Sequence, residues 1–392
     1  MIEKTTFKEL KISQELIISL NKNNILIPTE VQKKTIPLIL KGKDIMAQSE
    51  TGSGKTLSFA IPIIENLSHE KIVKALVITP TRELAKQIKE EFSKFGRHKF
   101  LCAAVVYGGV SIENQAEKIK KADIVIGTPG RLLDLIHRRM LDLSKVKYLV
   151  LDEADRMLDM GFIEDINKIL SFTPKKKQNL MFSATINGKV MDVMEKYLNN
   201  PKKIFLENII KKGILNQIYF NVPENRKLSL LVPLLKKKEK ELTLIFCNTK
   251  RKTRFVSEVL RLNGIKAKCI NGDMPQTKRE KTIEDFASKK INVLVATDVA
   301  ARGLDIKNIK TVINYDLHDE LETYTHRIGR TARQGKKGTA IILLCDRDYH
   351  KMDKIMRKYQ NKIEEKQSTF EKIKLPRKKP FFKRRFSKKS FH

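Results

Sequence analysis

The chain has 392 residues, 41% of them hydrophobic, and a formal net charge of +34. That length accommodates two or three domains with cores of their own, and no stretch approaches the ~18 uninterrupted apolar residues of a membrane helix. A lysine-rich composition accounts for part of the charge; the rest points to a polyanion partner, with nucleic acid ahead of a membrane because no amphipathic anchor is evident.

The opening "MIEKTTFKEL" has no apolar stretch behind Lys4, so a secretory leader is not expected. Short β-branched runs then alternate with helical stretches, the pattern of parallel sheets covered by helices. The first half carries strand candidates at Asp44–Ala47, Ala75–Thr79, Ala103–Tyr107, Ile124–Gly127, Tyr148–Leu151 and Leu180–Ser183. The second carries them at Leu242–Cys247, Ala267–Ile270, Val293–Ala296, Thr311–Tyr315 and Thr339–Leu344. Helical periodicity fills the gaps, as at Glu83–Phe95, Arg251–Leu262 and Gln276–Ala287.

From Asn200 to Gln217 charge rises and the period weakens, which places a linker near Glu207–Gly213. The expected plan is a first domain over 1–207, a linker over 208–216, a second domain over 217–360 and a basic low-complexity tail over 361–392. The end, Lys372 to His392, holds ten Lys and Arg and no acid, interleaved with Phe381, Phe382, Phe386 and Phe391. Such a segment is expected to be disordered, either a tether to structured RNA or a solubilising tail. Cys102, Cys247, Cys269 and Cys345 are scattered without metal-ligand spacing. Reduced thiols in a cytoplasmic protein without structural zinc are the expectation.

Two stretches carry phosphate chemistry. In "DIMAQSETGSGKTLSF" a strand runs into a glycine-rich loop and a helix starting near Lys55. Gly52 and Gly54 let backbone N–H groups curl around phosphate oxygens, and the helix N-terminus adds positive potential. Lys55 would reach the terminal phosphates and Thr56 would meet Mg²⁺; the usual first glycine is Ser49, so the loop spans Ser49, Glu50, Thr51, Gly52, Ser53, Gly54, Lys55 and Thr56. The second stretch, "YLVLDEADRML", sets Asp152, Glu153 and Asp155 at the end of a buried run. Crowded carboxylates resist desolvation, and a magnesium ion held by Asp152 would offset that cost. Glu153 is then the base or positioner for the attacking water. The plainer reading, a solvated turn capping a helix, suits Asp155 better than Asp152.

With these residues in place the chain resembles the DEAD-box RNA helicases of helicase superfamily 2, over roughly residues 5 to 350. The resemblance implies two tandem RecA-like α/β domains, each a mostly parallel sheet covered by helices, with ATP and Mg²⁺ as cofactors. "IPTEVQ" is similar to the family's adenine-reading motif, which gives Gln32 the adenine edge and Phe7 the stacking face. Asn24-Ile25 stands where the family has Gly-Phe, and Glu30 replaces a common proline. "PTREL", "GG" and "TPGR" match RNA-contact motifs and assign Arg82, Gly109, Thr128 and Arg131 to RNA. In the second domain the resemblance assigns Arg279 and Thr297 to RNA and Asp305 to the ATP ribose, with Asn271 where histidine is common. It makes Arg330 and Arg333 of "HRIGRTAR" arginine fingers; by the residues themselves Arg327 suits a basic helix face touching RNA, and the hydroxyls of Ser183 and Thr185 in "SAT" suit coupling to the acidic loop, with helix N-capping an equal role for Thr185.

The expected activity is therefore an RNA-stimulated ATPase and helicase that closes and reopens two domains on single-stranded or short duplex RNA, separating strands locally or remodelling ribonucleoproteins. Ribosomal or messenger-ribonucleoprotein partners, no membrane contact and a monomeric core go with it. An ATP-gated clamp that holds RNA without productive unwinding, and a DNA helicase of the same superfamily, are the alternatives.

Overall fold

Runs such as Ala75–Ile78 are buried on both faces, which is what a strand covered by helices on two sides requires. In the computed structural model, which describes residues 5–49, 52–186, 188–206, 214–301, 306, 308–332, 336–359 and 362–376, they assemble into two seven-stranded sheets. By proximity the chain forms two compact units, one of residues 1–216, 301–310 and 320–340 and the other of residues 217–300, 311–319 and 341–392.

The first sheet contains β1 (Ile45–Gln48), β2 (Ala75–Ile78), β3 (Ala103–Val106), β4 (Ile124–Gly127), β5 (Tyr148–Asp152), β6 (Gln178–Ser183) and β7 (Lys202–Phe205). Their spatial order is β3-β4-β2-β5-β6-β1-β7, with parallel neighbours throughout. The register sets Ile78 beside Leu151, Leu151 beside Met181 and Ala47 beside Phe182, so the carboxyl ends align along one edge. Its helices are α1 (Gln14–Lys22), α2 (Glu30–Leu40), α3 (Lys55–Asn66), α4 (Arg82–Phe95), α5 (Ile112–Ile119), α6 (Pro129–His137), α7 (Ala154–Asp159), α8 (Ile163–Ser171) and α9 (Gly188–Tyr197).

Pleating sends alternate residues to opposite faces. Ala75 and Val77 join one core with Phe59 of α3 and Phe92 of α4, while Leu76 and Ile78 join the other with Leu132 of α6 and Ile169 of α8.

The second sheet contains β8 (Leu215–Asn221), β9 (Leu242–Phe246), β10 (Ala267–Ile270), β11 (Val293–Ala296), β12 (Ile309–Asn314), β13 (Gly338–Leu344) and β14 (Glu364–Glu365), ordered β10-β11-β9-β12-β13-β8-β14. Between and after these strands in the chain lie α10 (Lys227–Lys236), α11 (Lys250–Leu262), α12 (Gln276–Ala287), α13 (Asp298–Ala301), α14 (Leu321–Ile328) and α15 (Tyr349–Lys358).

Three strands depart from the sequence reading. β7 and the start of β8 lie inside the stretch read as a pause and a linker; residues 207–213 of that linker are outside the described residues. β7 buries only Ile204 among exposed neighbours, so its apolar signal is too thin to register. The third is β14, within the segment read as tail. Its pairing with Ile218 and Tyr219 of β8 is extended by Lys366 N donating to Tyr219 O at 2.9 Å and Glu371 N donating to Ser229 O at 3.0 Å. Lys374 and Asn263 then exchange hydrogen bonds of 2.9 Å in both directions. Residues 362–376, which follow the boundary expected at 361, thus run along the second unit, anchored by buried Ile363 and by Ile373. Besides these two apolar side chains, backbone pairing and side-chain bonds such as Tyr219 Oη donating to Glu365 Oε2 at 2.9 Å hold the segment.

Candidate active site and nucleic-acid interface

The glycine-rich turn between β1 and α3 is held by its own side chains. Gly52 and Gly54 have φ of +84° and +94°, the left-handed region where glycine carries no steric penalty. Lys55 is buried, and its Nζ donates to Ser49 O at 2.8 Å, bending the ammonium back over the loop. The Ser53 hydroxyl donates to Ser49 Oγ at 3.0 Å, and half-buried Thr56 follows on the first turn of α3. Glu50 and Thr51 lie outside the described residues.

The carboxamide of Gln32 is engaged at both ends. Its Oε1 accepts from Thr29 N at 2.9 Å, closing the N-terminus of α2, while its Nε2 donates to Gly54 O at 3.0 Å. A Cβ placed on Gly54 would lie 2.5 Å from that Nε2. The helix containing Gln32 is therefore docked onto the phosphate loop. Phe7 is 2% exposed and packs in the core of the first unit. Asn24 takes φ of +57°, the left-handed conformation that asparagine tolerates better than most residues.

The acids at the end of β5 fall into two pairs of roles. Asp152 and Glu153 are 2% and 4% exposed, and Asp152 Oδ1 accepts the Glu153 N–H at 2.9 Å. Burial pushes the Asp152 carboxyl up to about 7; nearby Lys55 opposes that rise and the Glu153 charge adds to it. Burial also raises Glu153, but the Arg156 guanidinium, which is paired with it, and Lys55 outweigh burial and bring it down to about 2. Glu153 sits at φ of +53°, a strained backbone for a residue with a Cβ, and this aims it away from the strand direction. One carboxyl is thus held as a firm anion while its neighbour is short of positive charge.

Asp155 and Arg156 turn the other way. Asp155 is 2% exposed, so the solvated-turn reading is corrected: its Oδ2 accepts both N–H and Oγ1 of Thr185 at 2.8 Å. The Ser183 hydroxyl donates to Thr185 O at 2.7 Å and accepts the Asp155 N–H at 3.3 Å. The loop after β6 and the turn after β5 are locked as one piece. The sequence offered a signal for this, since an acid three residues past Asp152 must share its buried turn.

Three neighbouring strand ends, β3, β4 and β2, present a different surface. Gly109 has φ of +85°, and a Cβ there would lie 2.7 Å from Arg82 Nη1, so the glycine leaves the guanidinium its place. Arg82 and Lys86 stand 5.9 Å and 5.3 Å from the Tyr107 ring centroid, within cation–π range. From the opposite side Arg131 Nη1 donates to Val110 O and Gln115 Oε1, each at 3.1 Å. Thr128 precedes Pro129, the first residue of α6. Arg82, Gly109, Thr128 and Arg131 are thereby brought around one loop. Tyr107, Lys86 and Gln115 belong to the same cluster and were not anticipated, because their helix and loop positions meet only in space.

In the second unit Arg279 Nη2 donates to Ala300 O at 3.0 Å, joining α12 to α13, and Thr297 is buried directly after β11. Asn271 is buried too, its Oδ1 accepting Asp273 N at 3.2 Å. Arg330 follows α14 and is 4% exposed. Arg327 is 2% exposed, which corrects its placement on an open basic face: helical periodicity turns it inward with Tyr324. Asp305 and Arg333 lie outside the described residues.

Comparison with known proteins bears on this arrangement. The DEAD/DEAH box helicase family model matches residues 29–193, and the helicase conserved C-terminal domain model matches residues 226–335. The DEAD-box ATP-dependent RNA helicase CshA of Bacillus cereus is 42% identical over 92% of this chain and 69% of its own length. A probable ATP-dependent RNA helicase of Methanocaldococcus jannaschii is 44% identical over 92% of this chain and 98% of its own. Among solved structures, S. cerevisiae Dbp5 bound to RNA and ADP BeF3 superposes with a TM-score of 0.85 at 29% identity, covering 92% of this chain and 95% of that one. Two family models in tandem and relatives more than 40% identical over 92% of this chain place the protein: it belongs to the DEAD-box ATP-dependent RNA helicases, enzymes that hydrolyse ATP.

Proposed function

We propose that this enzyme binds ATP at the ends of β1, β5 and β6 and RNA at the neighbouring ends of β3, β4 and β2, and that turnover requires the second unit to complete both sites. The observation that carries the reading is the shared edge: the phosphate loop, the acids and the arginine-lined loop all hang from carboxyl ends of one parallel sheet. Open parallel sheets bind ligands at that edge.

Lys55 supplies positive charge to the terminal phosphates, and Glu153, held ionised by Arg156, orients and deprotonates the attacking water. A hard dication fits Asp152 and Thr56, whose oxygens are its preferred donors, and it would relieve the raised carboxyl of Asp152. Magnesium bound there would neutralise charge on the phosphates. Gln32 reads the adenine edge from the loop-docked position it already occupies, and Phe7 supports that end of the pocket. Asp305 takes the ribose, and Arg330 and Arg333 act as fingers, a contribution worth ~10³–10⁵ in rate in comparable phosphoryl transfers.

On the RNA side Arg82 and Arg131 pair with phosphates, while Gly109 and Thr128 allow close backbone approach; Arg279 and Thr297 serve the second half of the strand. The Asp155–Thr185–Ser183 lock supports coupling, because it ties the hydrolytic turn to the loop after β6. Shifting a two-state equilibrium from 1:99 to 99:1 takes ~5.5 kcal/mol of differential affinity, which ATP and RNA together can supply. Stacking near ~1.4 kcal/mol per step then limits each closure to a few base pairs, so local separation rather than long travel is the expected mode. The residues permit work on ribosomal or messenger ribonucleoproteins in the cytoplasm by a monomeric core.

A strand-displacement assay on a short RNA duplex tests the proposal. The wild type should displace a strand with ATP, and Glu153→Gln should bind ATP and RNA yet release nothing. ATP-stable binding of wild type with no displacement would instead establish an RNA clamp.

A further inference from the structure

The amino-terminal edge of the first sheet, opposite the nucleotide loop, carries a cluster that the helicase reaction does not use. Asp123 precedes β4, Cys102 precedes β3, and His69 lies in the connection from α3 to β2. Asp123 is fully buried, and the carboxylate gathers the other two residues around itself. Its Oδ2 accepts the Cys102 N–H at 2.9 Å and lies 2.8 Å from His69 Nδ1; its Oδ1 accepts the N–H groups of Glu70 and Lys71 at 2.8 Å and 3.0 Å. An imidazole nitrogen, a thiol sulfur and a carboxylate oxygen consequently lie within 4.8 Å of one another.

We propose that His69, Cys102 and Asp123 form a three-ligand site for a borderline-soft divalent cation of the zinc type. This is the mixed nitrogen, sulfur and oxygen donor set such ions select. The ion replaces the proton now lying between His69 Nδ1 and Asp123 Oδ2. With metal–ligand bonds near 2.0–2.3 Å, tetrahedral geometry needs those two atoms about 3.3 Å apart, an opening of about half an ångström. The His69 side chain is 29% exposed and Cys102 is exposed, so both can adjust while the buried carboxylate stays fixed by its backbone donors. The protons balance simply: the proton on His69 Nδ1 moves to Nε2 and the Cys102 thiol proton goes to solvent. Water takes the fourth position. Bound there, the cation clips the connection after α3 to the starts of β3 and β4 and stabilises the first unit without touching the ATP edge.

Cobalt(II) titration of the untagged full-length protein in its reduced form provides the test, because cobalt reports thiolate ligation by charge-transfer absorption and tetrahedral geometry by visible bands. The wild type should show both, with release of a single proton per ion, a raised melting temperature and displacement of cobalt by zinc. Cys102→Ser should abolish the charge-transfer band, and His69→Gln should weaken cobalt affinity by about tenfold or more. Both variants should retain RNA-stimulated ATPase activity without added metal beyond magnesium. Absence of thiolate absorption in a folded, ATPase-active wild type, or its persistence in Cys102→Ser, would overturn the assignment.

Discussion

Asp152 and Glu153 are adjacent, equally hidden from water and opposite in their proton affinity, because Arg156 reaches one and not the other. Asp152, with a carboxyl near 7 in the fold against 3.8 ordinarily, keeps a proton that the unfolded chain has lost, so its contribution favours folding at low pH and fades as pH rises from about 4 through 7. Glu153, near 2 against 4.5, works the other way: its stabilisation is present above 4.5 and disappears as pH falls towards 2. In the ligand-free protein Asp152→Asn should therefore raise the melting temperature at about pH 8 by several degrees while leaving it nearly unchanged at about pH 4, as calorimetry at the two pH values would show. The same variant should lose magnesium-dependent turnover. Lys55→Ala removes the lysine folded back over the phosphate loop, and single-turnover kinetics should find hydrolysis reduced by ~10³ or more.

At the scale of elements, the joints between strand ends matter more than the strands. Gly54 combines a φ of +94° with the Gln32 carboxamide at the place a Cβ would take. Gly54→Ala should cost about 1–2 kcal/mol in backbone strain alone and displace α2, so nucleotide affinity measured by calorimetry should fall; unchanged affinity would remove the Gln32 dock from the binding scheme. The Asp155 lock makes a different prediction. Asp155→Asn keeps the shape but weakens both bonds to Thr185, so RNA should stimulate the ATPase less while turnover without RNA stays near that of the wild type. Arg131 and Arg82 brace the Gly108–Val110 loop from two sides, one by hydrogen bonds to Val110 O and Gln115 and the other by packing at Gly109.

At the scale of the whole molecule, residues 362–376 after α15 are attached to the second unit. Truncation after Tyr359 removes the β14 pairing and the Lys374–Asn263 bonds and should lower the melting temperature of the second unit, whereas truncation after Pro376 should leave it unchanged. If the remaining basic residues tether RNA, the shorter truncation should also reduce the slope of RNA affinity against salt. ATPase stimulation by RNA and not by matched DNA would separate this enzyme from a DNA helicase, through contacts that only a 2′-hydroxyl can make.

How much of this was legible in the residues depends on the range of the interaction. The glycine turn before Lys55, the buried run ending in Asp152 and the core strands of both sheets are decided by neighbours a few positions apart, where burial and backbone preference act locally. Edge strands such as β7 and β14 escaped because all their residues but Ile204 face water and their pairing comes from distant backbone. Tertiary structure alone decided that Gln32 docks on Gly54, that Asp155 holds Thr185, that Arg327 turns inward, and that His69, Cys102 and Asp123 share one corner. Those partners stand far apart along the chain, and only the strand order β3-β4-β2-β5-β6-β1-β7, a product of packing two faces at once, brings the partners in the first unit within bonding distance.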